Sequence, residues 1–210
     1  AWRMYALRMP LDHSRADLER GICSKLRVPA TALRTLRIVK QSIDARRRGE
    51  IALVYAVDVE LELDGKQRNR MLRQVGKDPH LRPSPDESYA FVMRPLPKER
   101  AHPDGSRPIV IGAGPCGYFA ALLLAQMGLR PILLERGQPV KQRSVDTFGF
   151  WRGSLGLNPE SNAQFGEGGA GTFSDGKLYS QISEPATYVR KVLEELVAAG
   201  ANRDILTLHR

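Results

Sequence analysis

Pro108-Ile109-Val110-Ile111-Gly112-Ala113-Gly114-Pro115-Cys116-Gly117 is a short apolar strand signal that runs directly into glycines spaced G-x-G-x-x-G. An apolar helix pattern, Tyr118 to Met127, follows, and Gly128 stops it. The order of strand, turn and helix gives each glycine a task. Gly112 permits the tight turn, Gly114 lacks the Cβ that would hold phosphates away, and Gly117 lets the helix lie close to the strand. The helix start offers unpaired N–H groups and the positive end of its dipole to a pyrophosphate. Pro115 costs little in that first turn, because its missing N–H has no partner to lose. The spacing predicts a β-α-β unit that binds a dinucleotide.

Outward from this motif, Pro131-Ile132-Leu133-Leu134 supplies the next strand and Glu135 ends it, about 20 residues beyond the glycines as the fingerprint requires. A carboxylate there accepts hydrogen bonds from both hydroxyls of an adenosine ribose. It repels a 2′-phosphate, which argues against NADP despite the adjacent Arg136.

A second glycine cluster, Gly166-Glu167-Gly168-Gly169-Ala170-Gly171, is preceded by Ser161-Asn162-Ala163-Gln164-Phe165 and followed by Thr172-Phe173-Ser174-Asp175-Gly176-Lys177. Phe165, Phe173 and Tyr179 give it something to pack against, so it reads as a backbone-lined ligand wall rather than a flexible loop. Gly171 to Lys177 has most of a phosphate-loop signature, but Leu178 stands where magnesium needs Ser or Thr. Nucleotide triphosphate hydrolysis is rejected on that ground. Cys116 reads as a small residue tolerated at a tight turn, since no resolving cysteine lies nearby.

The front half differs in composition. The 210 residues carry a net charge of +9, of which +7 falls in residues 1–105 and +2 in 106–210, whereas 14 of the 19 glycines follow residue 105. Trp2 to Arg8 reads as a strand. Ser14 and Asp17 form a capping box ahead of Leu18, Ile22 and Leu26, which share one helix face. Leu36 to Ile43 and the alternating run Ile51 to Leu63 read as two more strands, the latter with Asp58, Glu60 and Glu62 on its polar face. Lys66 to Val75 reads as a helix burying Met71, Leu72 and Val75, and Tyr89 to Met93 as the fourth strand. The order β-α-β-β-α-β predicts a ferredoxin-like sandwich. Half of the 14 prolines lie between Pro79 and Pro108, as in a linker.

Ile109 to Ala121, Leu134-Glu135-Arg136-Gly137 and above all Ser161 to Leu178 (SNAQFGEGGAGTFSDGKL) resemble a poorly characterised family of FAD-dependent dehydrogenases among the flavoproteins with two dinucleotide-binding domains. Pro10-Leu11-Asp12-His13 and Ile38 to Arg46 resemble that family's N-terminal extension. The resemblance implies FAD, with Gly112, Gly114, Pro115 and Gly117 at the pyrophosphate, Glu135 and the neighbouring Arg136 at the ribose, and Gln164, Gly166, Gly168, Gly169 and Gly171 along the flavin side. NAD(P)H would donate electrons through a part not present here, since family members continue well beyond this length.

The fold class expected is therefore α/β: a ferredoxin-like α+β domain at 1–95, a Pro-rich linker at 96–107, and a Rossmann-like FAD-binding domain at 108–210, incomplete at its C-terminal end. The function expected is the N-terminal part of an FAD-dependent oxidoreductase. The alternative is a basic nucleic-acid-associated flavoprotein module, suggested by Arg46-Arg47-Arg48 and the basic excess, although no aromatics interleave with that cluster to stack bases. His13, His80 and His102 have no second ligand at metal spacing. With no apolar run near the ~18 residues of a membrane span, and two distant cysteines, the chain is expected in a reducing compartment. That is the cytoplasm, or an organelle after loss of a targeting segment.

Overall fold

The computed structural model describes residues 1–46, 49–75, 77–97, 106–174 and 186–208. The sequence expectations for Arg47, Arg48, His102 and Asp175 to Tyr179, and for the Val75 side chain, lie outside the described residues. The chain packs as two units, Ala1–Tyr89 with Pro185–Arg210, and Ala90–Glu184. Among the described residues, five helices, a four-stranded antiparallel sheet and a two-stranded parallel sheet make it a mixed α/β chain. No helix among the described residues is long and apolar enough to cross a membrane.

In the first unit the order is β1 (Trp2–Met9), α1 (Arg15–Leu26), β2 (Leu33–Asp44), β3 (Ala52–Leu61), α2 (Gly65–Val75) and β4 (Leu81–Pro83). The strands lie β2-β3-β1-β4, each neighbour antiparallel. Ser14 caps α1 reciprocally with Asp17, as the sequence predicts. Leu18, Ile22 and Leu26 are at most 2% exposed and join Met4, Val57 and Val59 in the core. Each such side chain removed from water stabilises by about 1.5–3 kcal/mol.

Alternation along β1 is not simple. A bulge between Met4 and Leu7 places Ala6 in the left-handed region (φ 55°) and lets Met4, Leu7 and Met9 all face the core. The opposite face is not solvent either. Asp58, expected on a polar outer face, is 6% exposed because Arg3 and Arg37 stand directly across from it on both neighbouring strands. Leu72 is also a correction, since it is 49% exposed while Met71 is 2% exposed.

The fourth strand is Leu81–Pro83, not Tyr89 to Met93. Leu81–Pro83 takes the open edge of β1, pairing Met4 with Leu81 and Trp2 with Pro83. Proline lacks an N–H, so it fits an edge strand and ends it. Tyr89 sits instead with its ring 6.0 Å from that of Tyr188 on α5 (Ala186–Ala198). After α5 the chain makes a 3₁₀ turn at Arg203–Leu206, begun by the Asn202 side chain accepting from the Asp204 amide. Only a single bridge, Leu208 to Gln41, follows it.

In the second unit β5 (Ile109–Ile111), α3 (Pro115–Gln126) and β6 (Ile132–Leu134) form a parallel β-α-β unit with Ile109, Val110 and Ile111 opposite Ile132, Leu133 and Leu134. The helix α4 (Val140–Trp151) and a 3₁₀ turn at Ala170–Phe173 complete it. The strand is not buried as its apolar sequence suggests. Ile109 is 61% and Ile111 86% exposed, because parallel strands reach full burial only when both faces are covered.

Candidate functional site

The turn between β5 and α3 is built by its glycines. Gly112 has φ +95° and donates its amide to the Leu134 carbonyl at 2.7 Å, so the chain reverses while still bonded to β6. Gly114 occupies the N-cap of α3 with extended backbone and no side-chain cap, and Pro115 begins the helix. A Cβ on Gly117 would lie 1.8 Å from the Gly112 carbonyl oxygen. Helix and turn therefore approach as closely as backbone allows. The amides of the first turn of α3 have no acceptor within the helix.

Glu135, one residue past β6, is held against this turn. One carboxylate oxygen accepts the Ala113 amide at 2.6 Å and the other accepts the Gly137 amide at 2.8 Å. These two backbone bonds hold the carboxyl below its ordinary pKa, outweighing its partial burial. A carboxylate offers about four lone-pair sites, so each oxygen keeps capacity for a further donor. The Arg136 side chain does not join it. Its guanidinium pairs with Glu160 at 2.6 Å, both side chains mostly in solvent.

The second glycine segment packs on the first. The Gly168 amide donates to the Ala113 carbonyl at 2.8 Å, and a Cβ on Gly169 would lie 3.2 Å from Gly114 Cα. A methyl on Gly171 would touch Pro115 at 3.7 Å. Between them Glu167 bridges two helices, accepting from the Tyr118 hydroxyl at 2.8 Å and the Val140 amide at 2.7 Å. The same two donors lower the Glu167 pKa, while burial and this carboxylate raise that of Tyr118. Gly166 follows the exposed Gln164, whose amide donates to the Asn162 side chain at 2.9 Å. Gly112, Gly114, Pro115, Gly117, Glu135, Gly166, Gly168, Gly169 and Gly171 thus share one neighbourhood. The Gln164 side chain and Arg136 lie at its surface.

Sequence reasoning missed Arg143. It lies in α4 and is 0% exposed. Its guanidinium donates to the carbonyls of Asn162 (2.8 Å), Ala163 (3.0 Å), Glu167 (2.6 Å) and Gly169 (2.7 Å) and to the Thr172 hydroxyl (3.2 Å). Its central carbon also stands 4.9 Å from the centre of the Phe173 ring. Burial pushes its pKa down, with Glu135 acting in the opposite sense. No spacing rule marks such a residue, although a glycine loop whose carbonyls turn inward needs a buried donor somewhere.

Cys116 is exposed, and no cluster of three or more metal-ligating side chains occurs among the described residues. In the N-terminal unit the cations of the sheet are largely spent on carboxylates. Arg3 and Arg37 meet Asp58 and Glu87, Arg8 and Arg46 meet Asp44, and Arg34 meets Glu62.

Comparison with known proteins adds two likenesses. Residues 3–60, which run from β1 almost to the end of β3, match the model of a domain of unknown function, DUF8436. A protein of Clostridium beijerinckii titled "Uncharacterized protein" is 38% identical over 208 residues, covering 98% of this chain and 36% of the relative. The likeness therefore extends through both glycine segments, and the chain spans 36% of the length of the relative it matches.

Proposed function

We propose that residues 108–174 hold FAD in a Rossmann-like β-α-β site, that the N-terminal unit is ferredoxin-like, and that the protein serves as part of an FAD-dependent oxidoreductase. The observation that carries this reading is the Glu135 carboxylate. Two backbone amides fix it beside the glycine turn, and lone pairs remain for the two ribose hydroxyls. The first-turn amides of α3 would receive the pyrophosphate, and Gly166 to Gly171 would face the flavin end. Bound FAD supplies the electron or hydride chemistry, with NAD(P)H as the donor class. The protein supplies binding and orientation.

The nucleic-acid reading has weaker support. Cations already paired with carboxylates release few counterions from a phosphate backbone, so they contribute little affinity.

Titration of the 210-residue chain with FAD, followed by flavin fluorescence, tests the proposal. Saturable binding that ADP competes for is the expected result, with a 2′-phosphorylated ADP competing poorly because Glu135 repels it. Absence of saturable FAD binding would overturn the assignment.

A further inference from the structure

The buried guanidinium of Arg143 is unusual in what it does not meet. Among the described residues no carboxylate pairs with it, and its four nearest oxygens are backbone carbonyls of one loop, joined by the Thr172 hydroxyl. A buried cation without an ionic partner is expensive unless its hydrogen bonds are complete. Here completeness requires the loop to hold one shape. Arg143 is also one of two reasons for a glycine at 166, since a Cβ there would lie 2.6 Å from the Arg143 Cδ and the backbone has φ +123°. The loop and the arginine specify each other.

Turned around, the same geometry shows what the loop gains. The chain from Asn162 to Thr172 has few apolar side chains of its own, and three of its glycines have positive φ: +123° at Gly166, +85° at Gly168 and +59° at Gly169. Such a backbone has high entropy when free. Four carbonyls gathered on one planar fork fix it, and its Gly168 amide then meets Ala113 on the first turn at 2.8 Å. Glu135 and the glycine turn, by contrast, take no hydrogen bond from Arg143. The adenosine end of the site is built from β5, the glycine turn, α3, β6 and the Glu135–Gly137 segment that follows, and Arg143 acts on Glu135 only through its charge.

We propose that Arg143 is the positioning residue of the flavin end of the site: it fixes loop 162–172 against the first glycine turn, while the adenosine diphosphate end forms without it. This rests on the FAD reading above. Lysine cannot replace it, because three donors on one nitrogen cannot satisfy acceptors spread over a planar fork.

The test compares FAD with ADP, on the full 210-residue chain and on Arg143→Lys and Gly166→Ala. ADP affinity should change less than threefold in both variants. FAD affinity should fall more than tenfold, toward that of ADP. The double variant should lose little more than either single one, since both remove the same loop geometry. Equal losses for ADP and FAD, or no loss for FAD, would overturn the proposal. Amide hydrogen exchange at Gly168 gives a readout without any ligand, and Arg143→Lys should accelerate it at least tenfold. If the wild-type chain binds neither FAD nor ADP, the flavin reading fails and the exchange result decides the positioning role. Unchanged exchange at Gly168 sinks that role whatever the ligand data show.

Discussion

The Gly168 amide donates a 2.8 Å hydrogen bond to the Ala113 carbonyl, joining two glycine segments that are far apart in the chain. Glycine is required at 168 by its backbone conformation and by its own loop. Gly168 has φ +85°, and a Cβ on it would lie 2.1 Å from Thr172 Oγ1. Gly168→Ala should therefore destabilise the second unit by roughly 2–4 kcal/mol, combining backbone strain with overpacking. Gly153 has φ +72° but open space around it, so Gly153→Ala should cost only about 1 kcal/mol. Urea unfolding of both variants checks the ranking, and equal midpoints would contradict it.

Gly117 tests the close approach of α3 to its turn. Alanine is the better helix former by about 1 kcal/mol, yet a methyl 1.8 Å from the Gly112 oxygen cannot be accommodated without moving backbone. Gly117→Ala should lower stability by about 1–3 kcal/mol despite its higher helix propensity. A stabilised variant in thermal unfolding would show that the turn is looser than described.

Glu135 links stability, pH and ligand binding. Its folded pKa lies below the ordinary 4.5, so its contribution is fully present above pH 4.5 and is lost as pH falls through the folded value. FAD affinity should follow the same course, constant near neutrality and falling in acid. Glu135→Ala should weaken FAD by about 1.5–3 kcal/mol through loss of charged acceptors. Calorimetric titration at several pH values checks both, and wild-type affinity in the alanine variant would remove Glu135 from the ribose.

Asp58 carries the corresponding argument in the N-terminal unit. Burial pushes its pKa up, but bonds from Arg3, Arg37 and the Ser84 hydroxyl outweigh this and hold it at about 2, against an ordinary 3.8. Its stabilisation is complete above pH 3.8 and lost as pH falls toward 2. Asp58→Asn should cost about 3–5 kcal/mol at neutral pH, because Arg3 is left buried without its full charge partner. Denaturant midpoints within 0.5 kcal/mol of wild type, an allowance typical of surface changes, would show the network to be dispensable.

Lys66, Arg70 and Arg73 of α2 fall on one helical stripe, exposed and, among the described residues, paired with no carboxylate. Any retention on heparin or RNA should therefore depend on α2. Changing all three to Gln should lower the salt needed for elution, while Arg34→Gln, which only breaks a pair with Glu62, should leave it nearly unchanged. The opposite ranking would relocate the basic surface to β2.

The sequence determined whatever depends on neighbours within one turn or one β-α-β unit. The Ser14–Asp17 capping box, the buried face of α1, the glycine turn at 112–117 and the register of Glu135 beside it all arise from contiguous residues, where spacing alone dictates geometry. The tertiary structure decided the rest. β1 had one open edge, and 81–83 pairs with it although the sequence pattern pointed to 89–93. Asp58 looked solvent-facing by alternation and became buried because two arginines stand opposite it on other strands. Arg143 belongs to no motif that spacing marks. Its role depends on carbonyls supplied by a loop some twenty or more residues later, and hydrogen bonds to backbone leave no mark on the side-chain sequence of the acceptor.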